Sequence, residues 1–391
     1  MNVLFISPYL PGLGLHAGAV RMYAMLRGLS RRHRVYLVSI IDDEPPSAVD
    51  RLRALCAGVR TVPRLTRGWP LPATFLPNTV WIDFDSPEIG AAIESVRAEH
   101  AIDVAAVKYE VMARHLPRGL PAVLTVYELQ SHAAFRRGRQ AAGMERLRHW
   151  GEMLKWLNYE RRVFPKYRTV VTITEKEKRL IHAYLPGTEI EVIPMGADGD
   201  YFSPRMDVPQ TGDFLFVGNF GHLPNVDAMR WFCGEILPRV RRTVPSARID
   251  IVGYKSAGAL RELEGTPGVR VVGQVGDIRP WLAASRVFVN PIRLGSGMRG
   301  KLIEAFAMAR PVISTSIGAQ GLEHLRDTCF VAADGPEEFA RAAAALLQSA
   351  EKREALGKAA HGVFNSGYEW EAQARTYGAV LERAAAEGRN R

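Results

Sequence analysis

The sequence predicts an α/β protein of two successive domains, each built on a parallel sheet covered by helices. Three observations carry this reading. Short β-branched runs alternate with longer stretches of helical period, the alternation comes in two sets, and a polar, proline-marked segment separates them. The length of 391 residues suits two or three domains. With 47% apolar and 24% charged residues, the composition is that of a globular chain, neither disordered nor fibrous.

The first set predicts strands at Val3–Ile6, Val35–Ile40, Val59–Val62, Val104–Tyr109, Val123–Tyr127, Val170–Ile173 and Glu191–Pro194, with helices such as Ala19–Leu29, Ser86–Glu99 and Leu147–Phe164 between them. Next comes Tyr201–Gly212, whose prolines and polar residues read as an interdomain linker. The second set predicts strands at Phe214–Gly218, Arg248–Val252, Val269–Val272, Val287–Asn290, Val312–Thr315 and Phe330–Ala332. No short-period repeat supports a solenoid or propeller. Ligands of such sheets bind at the carboxyl ends of the strands, so the loops there are the places to search for chemistry.

Composition narrows the functional classes. No basic segment precedes the opening apolar run, and no stretch of about 18 apolar residues occurs, so neither a secretion signal nor a membrane span is expected. Cys56, Cys233 and Cys329 are too scattered for a disulfide framework or a metal cluster, which fits a reducing cytoplasm. The net charge of +10 points to anionic partners. Ten Lys or Arg against three acids fall between Ser131 and Arg168, so the excess is local. There, Leu147, Trp150, Leu154, Leu157, Arg161 and Phe164 lie near one helical face, with Arg148, Glu152, Lys155 and Arg162 on another. This amphipathic segment reads either as a domain-packing helix or as a peripheral contact with anionic lipid. No recognition motif accompanies the charge, so nucleic acid is not an expected partner.

The most informative stretch runs from Asn290 to Arg310, from a predicted strand through glycines into a helix expected to begin near Met298. Gly295, Gly297 and Gly300 allow close backbone approach, and the helix start offers unpaired N–H groups and a positive dipole end to a phosphate. Arg299 and Lys301 add charge, and Glu304, one turn on, is placed to accept hydrogen bonds from two ribose hydroxyls. The alternative is a glycine turn followed by an exposed Lys301–Glu304 pair. In the first half, Gly12, Gly14 and Ala17 match a Gly-x-Gly-x-x-Gly/Ala dinucleotide fingerprint, with Asp42 and Asp43 after the second strand. Pro8 and Pro11 push those glycines away from a tight strand–helix turn. Asp83-Phe-Asp85 has the form of a metal clamp, but Asp85-Ser-Pro-Glu88 reads as a helix cap with proline in the first turn.

Further stretches recur in a telling order. Glu191-Val-Ile-Pro-Met-Gly-Ala-Asp198 with Tyr201-Phe-Ser-Pro204 is followed by Phe216-Val-Gly-Asn-Phe-Gly-His-Leu-Pro-Asn-Val-Asp-Ala228 and Gly273-Gln-Val-Gly-Asp-Ile-Arg-Pro-Trp-Leu282. The glycine-rich stretch, Ala309–Leu322 and Tyr368-Glu-Trp-Glu-Ala-Gln-Ala374 complete the set. Together they resemble the family 4 glycosyltransferases over almost the whole chain, and are similar in particular to bacterial exopolysaccharide-type sugar transferases. Met195 stands in place of the family's Asn, and Ala197 in place of its Val.

The resemblance implies a GT-B fold, two Rossmann-like domains with parallel sheets facing across a cleft. It places an acceptor-side domain at 1–200, with a helix at 368–391 crossing back to it, the linker at 201–212, and a nucleotide-sugar domain at 213–367. It implies sugar transfer with retention from a nucleotide-diphosphate donor to the hydroxyl of a carbohydrate or lipid-linked acceptor, in bacterial polysaccharide or glycoconjugate synthesis, without metal or cofactor. A non-catalytic nucleotide-sugar-binding subunit, a nucleotide-sugar epimerase and a dinucleotide enzyme are the alternatives.

Residue by residue, Glu304 matches the second glutamate of the family's Glu-x7-Glu pattern, while the first falls on Ser296 and is absent. Gly218 matches the glycine loop beside the diphosphate, and Asn219 stands where many members carry a phosphate-binding cation; Arg299 and Lys301 are expected to supply that charge. Val275 and Gly276 fall where main-chain groups meet the base, and Gly318 in a loop near the donor. Gly18 and Arg21 belong to the acceptor-side loop. Tyr127-Glu128 replaces a common His-Asp pair, making Glu128, Ser131 and His132 candidates for orienting the acceptor hydroxyl. His132 also reads as an ordinary helix-start residue.

Overall fold

A computed structural model describes residues 1–13, 17–66, 75–205, 207–295 and 297–389. It divides into two compact units: residues 1–194 with 370–391, and residues 195–369. The expected linker at 201–212 therefore belongs to the second unit, where Phe202 and Val208 pack on the core. The chain changes unit at Pro194–Met195 and again at Glu369–Trp370.

The first unit runs β1 (Asn2–Ser7), α1 (Ala17–Ser30), β2 (Arg34–Ile41), α2 (Pro46–Arg53), β3 (Gly58–Pro63), α3 (Pro87–Glu99), β4 (Val104–Lys108), β5 (Ala122–Val126), α4 (Gln130–Gln140), α5 (Gly143–Val163), β6 (Thr169–Thr172), α6 (Glu175–His182) and β7 (Ile190–Val192). The second runs β8 (Gly212–Val217), α7 (Leu223–Trp231), α8 (Leu237–Thr243), β9 (Ile249–Val252), α9 (Ser256–Ala259), β10 (Val269–Gly273), α10 (Arg279–Ala284), β11 (Ser285–Asn290), α11 (Gly300–Ala307), β12 (Val312–Ser314), β13 (Phe330–Ala332), α12 (Pro336–Gln348) and α13 (Ala350–Val363). The final helix, α14 (Trp370–Arg389), returns to the first unit.

Both sheets are parallel, ordered β3-β2-β1-β4-β5-β6-β7 and β10-β9-β8-β11-β12-β13. Helices cover both faces, which is why strands such as Val104-Ala-Ala-Val-Lys108 and Ala122-Val-Leu-Thr-Val126 are buried along their whole length instead of alternating. In the second unit the core gathers Phe214, Phe216, Phe232 and Phe339; each fully buried aromatic or aliphatic side chain contributes about 1.5–3 kcal/mol. The strand order reverses between β1 and β4, and between β8 and β11. Those are the switch points where doubly wound sheets open a crevice for ligands.

Two contacts fix α14 on the first unit. A Cβ on Gly28 of α1 would lie 2.3 Å from the Ala374 Cβ, so the helices approach closely where a side chain is missing. Tyr377 covers Lys108, whose buried ammonium lies 3.5 Å from the ring centroid and donates to Thr125 Oγ1 at 3.2 Å. Burial, and after it the neighbouring Arg21, push the Lys108 amine well below the ordinary lysine range.

The amphipathic reading of α5 needs correction. Trp156, Tyr159, Glu160 and Val163 form its buried stripe, whereas Leu147, Trp150 and Leu154 stand exposed. Of the face read from the sequence, Phe164 is buried and Leu157 half-buried, and its first half, Leu147, Trp150 and Leu154, is left outside. Among the described residues no helix is long and apolar enough to cross a membrane.

Candidate functional site

At the second switch point, β8 leads into Gly218-Asn219, and β11 ends in Asn290, followed by the glycine-rich stretch and α11. That helix begins at Gly300, not near Met298. Gly295 and Gly297 have φ of 90° and 85°, left-handed conformations that delay it, and Arg299 is its N-cap. The Arg299 guanidinium donates to the Leu294 carbonyl at 3.3 Å, lying across the turn that it caps.

Lys301, half-buried on the first turn of α11, joins that helix to the β8 loop. Its ammonium donates to Asn225 Oδ1 at 2.9 Å and sits 4.1 Å from the Phe216 ring centroid. Asn225, in the first turn of α7, donates in turn to the Asn219 carbonyl at 2.7 Å. Asn219 Oδ1 accepts from the Gly221 amide, closing a tight local turn. The loop leaves no room opposite it: a Cβ on Gly253, at φ 148°, would stand 1.7 Å from the Gly218 carbonyl oxygen, and a Cβ on Gly218 would lie 3.1 Å from the Asn225 side chain. A lysine charge is thus delivered beside the very loop whose own side chain, Asn219, carries none.

Burial first, then the charge of Arg299, push the Lys301 amine down to about 7. Burial raises the Glu304 carboxyl to about 7, against the pull of Lys301. No ion pair joins Lys301 and Glu304, and no described residue donates a hydrogen bond to Glu304, so the exposed-pair alternative does not describe them. Among the described residues Glu304 is a half-buried acceptor without a protein partner.

The remaining donor-side candidates divide. Val275 packs on the core beyond β10, and Gly276 beside it is exposed. Gly318 is buried against Asn290 and Ser314; a Cβ there would lie 2.4 Å from Asn290 Nδ2, which accounts for the glycine by packing. Gly297 donates its amide to Gln320 Oε1 at 2.9 Å, fixing the turn from the loop after β12. Ser296 lies outside the described residues. Sequence reasoning missed Asn225 and Gln320. The sole signal for Asn225 was an amide residue one turn into a helix that follows a glycine loop.

In the first unit, Gly18 lies buried in α1. Arg21 is 1% exposed and donates to the carbonyls of Ile193 at 2.7 Å and Pro194 at 2.9 Å. It is therefore a sealed anchor for the end of the unit, not a side chain presented by the loop. Burial lowers its pKa, partly offset by Tyr127, Tyr377 and Tyr109. The dinucleotide fingerprint fares poorly: nine residues separate β1 from α1, Gly14 lies outside the described residues, and Asp42 is held by Arg64 through bonds of 2.6 and 2.8 Å. Asp85, of the supposed clamp, pairs with Arg114 at 2.7 Å, and Ser86 is the N-cap of α3 with Pro87 in its first turn.

Glu128 precedes α4 and accepts from Arg136 at 2.5 Å. His132, in the first turn of α4, is half-buried, and burial followed by Lys176 and Arg136 lowers its pKa, keeping the imidazole neutral and able to take a proton. Ser131 is buried and engaged below. The structure therefore brings Glu128 and His132 to the same helix start, at the carboxyl end of β5.

Set beside known proteins, this architecture is the GT-B fold. Sucrose-phosphate synthase from Thermosynechococcus elongatus aligns over 99% of both chains with a TM-score of 0.70 at 16% identity. HepE from Anabaena, in complex with UDP, aligns over 98% of this chain and 100% of its own with a TM-score of 0.68 at 13% identity. WaaG, a glycosyltransferase involved in lipopolysaccharide biosynthesis, aligns over 97% and 99%, with a TM-score of 0.66 at 14% identity. Residues 211–349 match the sequence model of the family described as Glycosyl transferases group 1, so the second unit carries a group 1 glycosyltransferase domain. An uncharacterized 44.6 kDa protein in the cps region of Klebsiella pneumoniae is 26% identical over 115 residues, a match spanning 27% of this chain and 30% of that protein.

Proposed function

We propose that this chain is a glycosyltransferase that moves a sugar from a nucleotide-diphosphate donor to an acceptor hydroxyl, with retention at the anomeric carbon, in the synthesis of a bacterial polysaccharide or glycoconjugate. The observation that carries the reading is the Lys301–Asn225–Asn219 chain of bonds at the β8/β11 switch point, with the unpartnered carboxyl of Glu304 one turn away. As the donor bond breaks, negative charge grows on the leaving diphosphate and positive charge on the sugar. Lys301, Arg299 and the N-terminal end of α11 are the preorganised positive groups that stabilise the leaving side. Glu304 accepts from the ribose hydroxyls. On the acceptor side Glu128 and His132 orient the attacking hydroxyl and receive its proton. No metal enters this scheme, and Asp85 of the clamp-like motif is engaged by Arg114.

A nucleotide-diphosphate donor is supported by HepE, a protein of similar fold whose crystal structures hold UDP and UDP-glucose. A thermal-shift panel of nucleoside diphosphates and their sugars tests binding, because a ligand selective for the folded chain raises its stability. Product analysis with the best donor then separates transfer from epimerisation and from binding without turnover. Absence of any shift across the panel refutes the reading.

Peripheral contact with an anionic membrane, near a lipid-linked acceptor, belongs to the same proposal. Its support is the α4–α5 hairpin, where Phe135, Met144, Leu147, Trp150 and Leu154 are exposed large apolar side chains. Residues 130–163 carry eight Lys or Arg against three acids. Each basic residue at an anionic surface contributes about 1 kcal/mol, and apolar tips add insertion. Flotation with phosphatidylglycerol-rich vesicles is expected to carry the protein upward, and phosphatidylcholine vesicles to leave it behind. Equal recovery with both removes this part.

A further inference from the structure

Beneath the first turn of α4 lie two carboxyl groups that the scheme above leaves without a task. Glu110, which opens the turn after β4, and Glu160 in α5 are 3% and 0% exposed. They grip consecutive amides of the helix start: Gln130 N–H donates to Glu110 Oε1 at 2.8 Å, and Ser131 N–H to Glu160 Oε1 at 2.9 Å. Carboxylates bound to adjacent peptide nitrogens stand side by side, and two buried like charges at that separation do not both ionise.

Their partners are unequal. Glu160 receives the Ser131 amide, the Ser131 hydroxyl and, on Oε2, the Tyr184 hydroxyl at 2.8 Å. Three donors favour its charged form. Glu110 Oε2, by contrast, is buried and accepts nothing from any described residue. An orphaned, buried carboxyl oxygen is the natural seat of the proton. Around the pair stand Glu128 on the loop before α4, Tyr159 of α5, whose hydroxyl donates to the Glu110 carbonyl at 3.1 Å, and Tyr184 beyond α6. The amide of Arg114, which follows β4, donates to the Tyr159 hydroxyl at 3.2 Å, and Arg136 of α4 is taken by Glu128. None of these residues offers Glu110 a compensating cation within ion-pair distance.

We propose that Glu110 and Glu160 are positioning residues that share one proton, held on Glu110, and thereby lock the first turn of α4 together with Glu128 and His132. The role of those two residues rests on the transferase reading; the lock itself does not. Burial, and after it the charge of Glu160, hold the Glu110 carboxyl well above the usual carboxylate range; burial raises Glu160 too, while the Ser131 and Tyr184 bonds pull it back toward its charged form. Loss of the shared proton at alkaline pH leaves two negative charges under one helix start, and the turn loosens.

Hydrogen exchange of the full chain, followed by mass spectrometry from pH 6 to pH 9 and corrected for intrinsic base catalysis, tests the lock in peptides covering residues 128–136. In the native protein their protection is expected to fall about tenfold or more across that range. Glu110→Gln keeps a neutral group of the same shape, so its protection stays level with pH. Glu160→Gln replaces an acceptor of three bonds with a donor and loses protection about tenfold or more at every pH. The same pH response in native and Glu110→Gln chains, or equal damage from the two substitutions, overturns the proposal. Should Glu160→Gln not fold, the Glu110→Gln comparison still decides. In a transfer assay, the alkaline fall of kcat/KM for the acceptor shifts upward in Glu110→Gln, while donor affinity is unmoved. A chain that shows the exchange pattern without transfer keeps the lock and loses the transferase reading.

Discussion

Replacing Lys301 by methionine keeps the aliphatic stem over Phe216 and removes only the ammonium. Among the described residues that ammonium has one protein acceptor, Asn225 Oδ1 at 2.9 Å, and a ring face at 4.1 Å. Neither neutralises it, and burial has pushed it to about 7. A diphosphate arriving at the β8 loop supplies the missing counter-charge. A charge-assisted hydrogen bond of this kind contributes about 1.5–3 kcal/mol, so the substitution is expected to weaken nucleoside diphosphate binding about 10- to 150-fold at pH 7 or below.

The sign of the pH dependence follows from linkage. The free site has a lowered lysine pKa and the occupied site a raised one, so binding takes up a proton above pH 7. Affinity then falls about 50-fold between pH 7 and 9, the slope steepening from about threefold per unit at pH 7 toward tenfold, or about 1.4 kcal/mol, per unit. Calorimetry in two buffers of different ionisation enthalpy reads the uptake directly: about half a proton at pH 7 and close to one at pH 8.5. Glu304 loses a proton in the same interval, so Glu304→Gln serves as the control and retains the lysine slope. An unchanged affinity in Lys301→Met at pH 6.5, or an unchanged proton uptake at pH 8.5, refutes the assignment of Lys301 to the diphosphate.

Glu304→Ala is expected to lower nucleoside diphosphate affinity about 10- to 100-fold while leaving inorganic pyrophosphate binding unaltered, since pyrophosphate has no ribose to lose; competition titration distinguishes the two. Gly253→Ala places a methyl 1.7 Å from the Gly218 carbonyl at φ 148°, and urea denaturation is expected to show a loss of about 3 kcal/mol or more in the second unit. Arg21→Met removes the donors to the Ile193 and Pro194 carbonyls, costing about 2–4 kcal/mol in the first unit, with donor affinity in the second unit unchanged.

The strands were legible because parallel strands buried on both faces spell themselves as apolar runs; all thirteen lie where the sequence predicts them, within two residues at each end. Sheet order was not spelled out in this way, yet it decides which loops meet. The glycines of the α11 loop were legible as glycines, but their left-handed conformations, which move the helix start to Gly300, are a tertiary outcome. The α5 face stayed open between packing and exposure because periodicity reports that a stripe is apolar and not what covers it. Trp150 and Trp156 lie on different stripes of one helix, and only the second meets the core.

What escaped the sequence shares one physical cause. Asn225 bonds Lys301 across 76 positions, Gln320 bonds Gly297 across 23, and Ser131 bonds Glu160 across 29. Each of these residues is ordinary where it stands and acquires its task only when the fold brings a charged or unsatisfied group to it. Motif residues announce themselves because a ligand demands several of them at fixed spacing along one segment. Supporting residues answer to a single neighbour, so nothing in their own segment marks them. Glu110 shows the consequence most sharply. In sequence it is one more acid after a strand; in the fold it is a carboxyl with a buried, unpartnered oxygen beneath a helix start. The cost of burying a second charge there makes its protonation, and not its identity as an acid, the property that the helix start depends on.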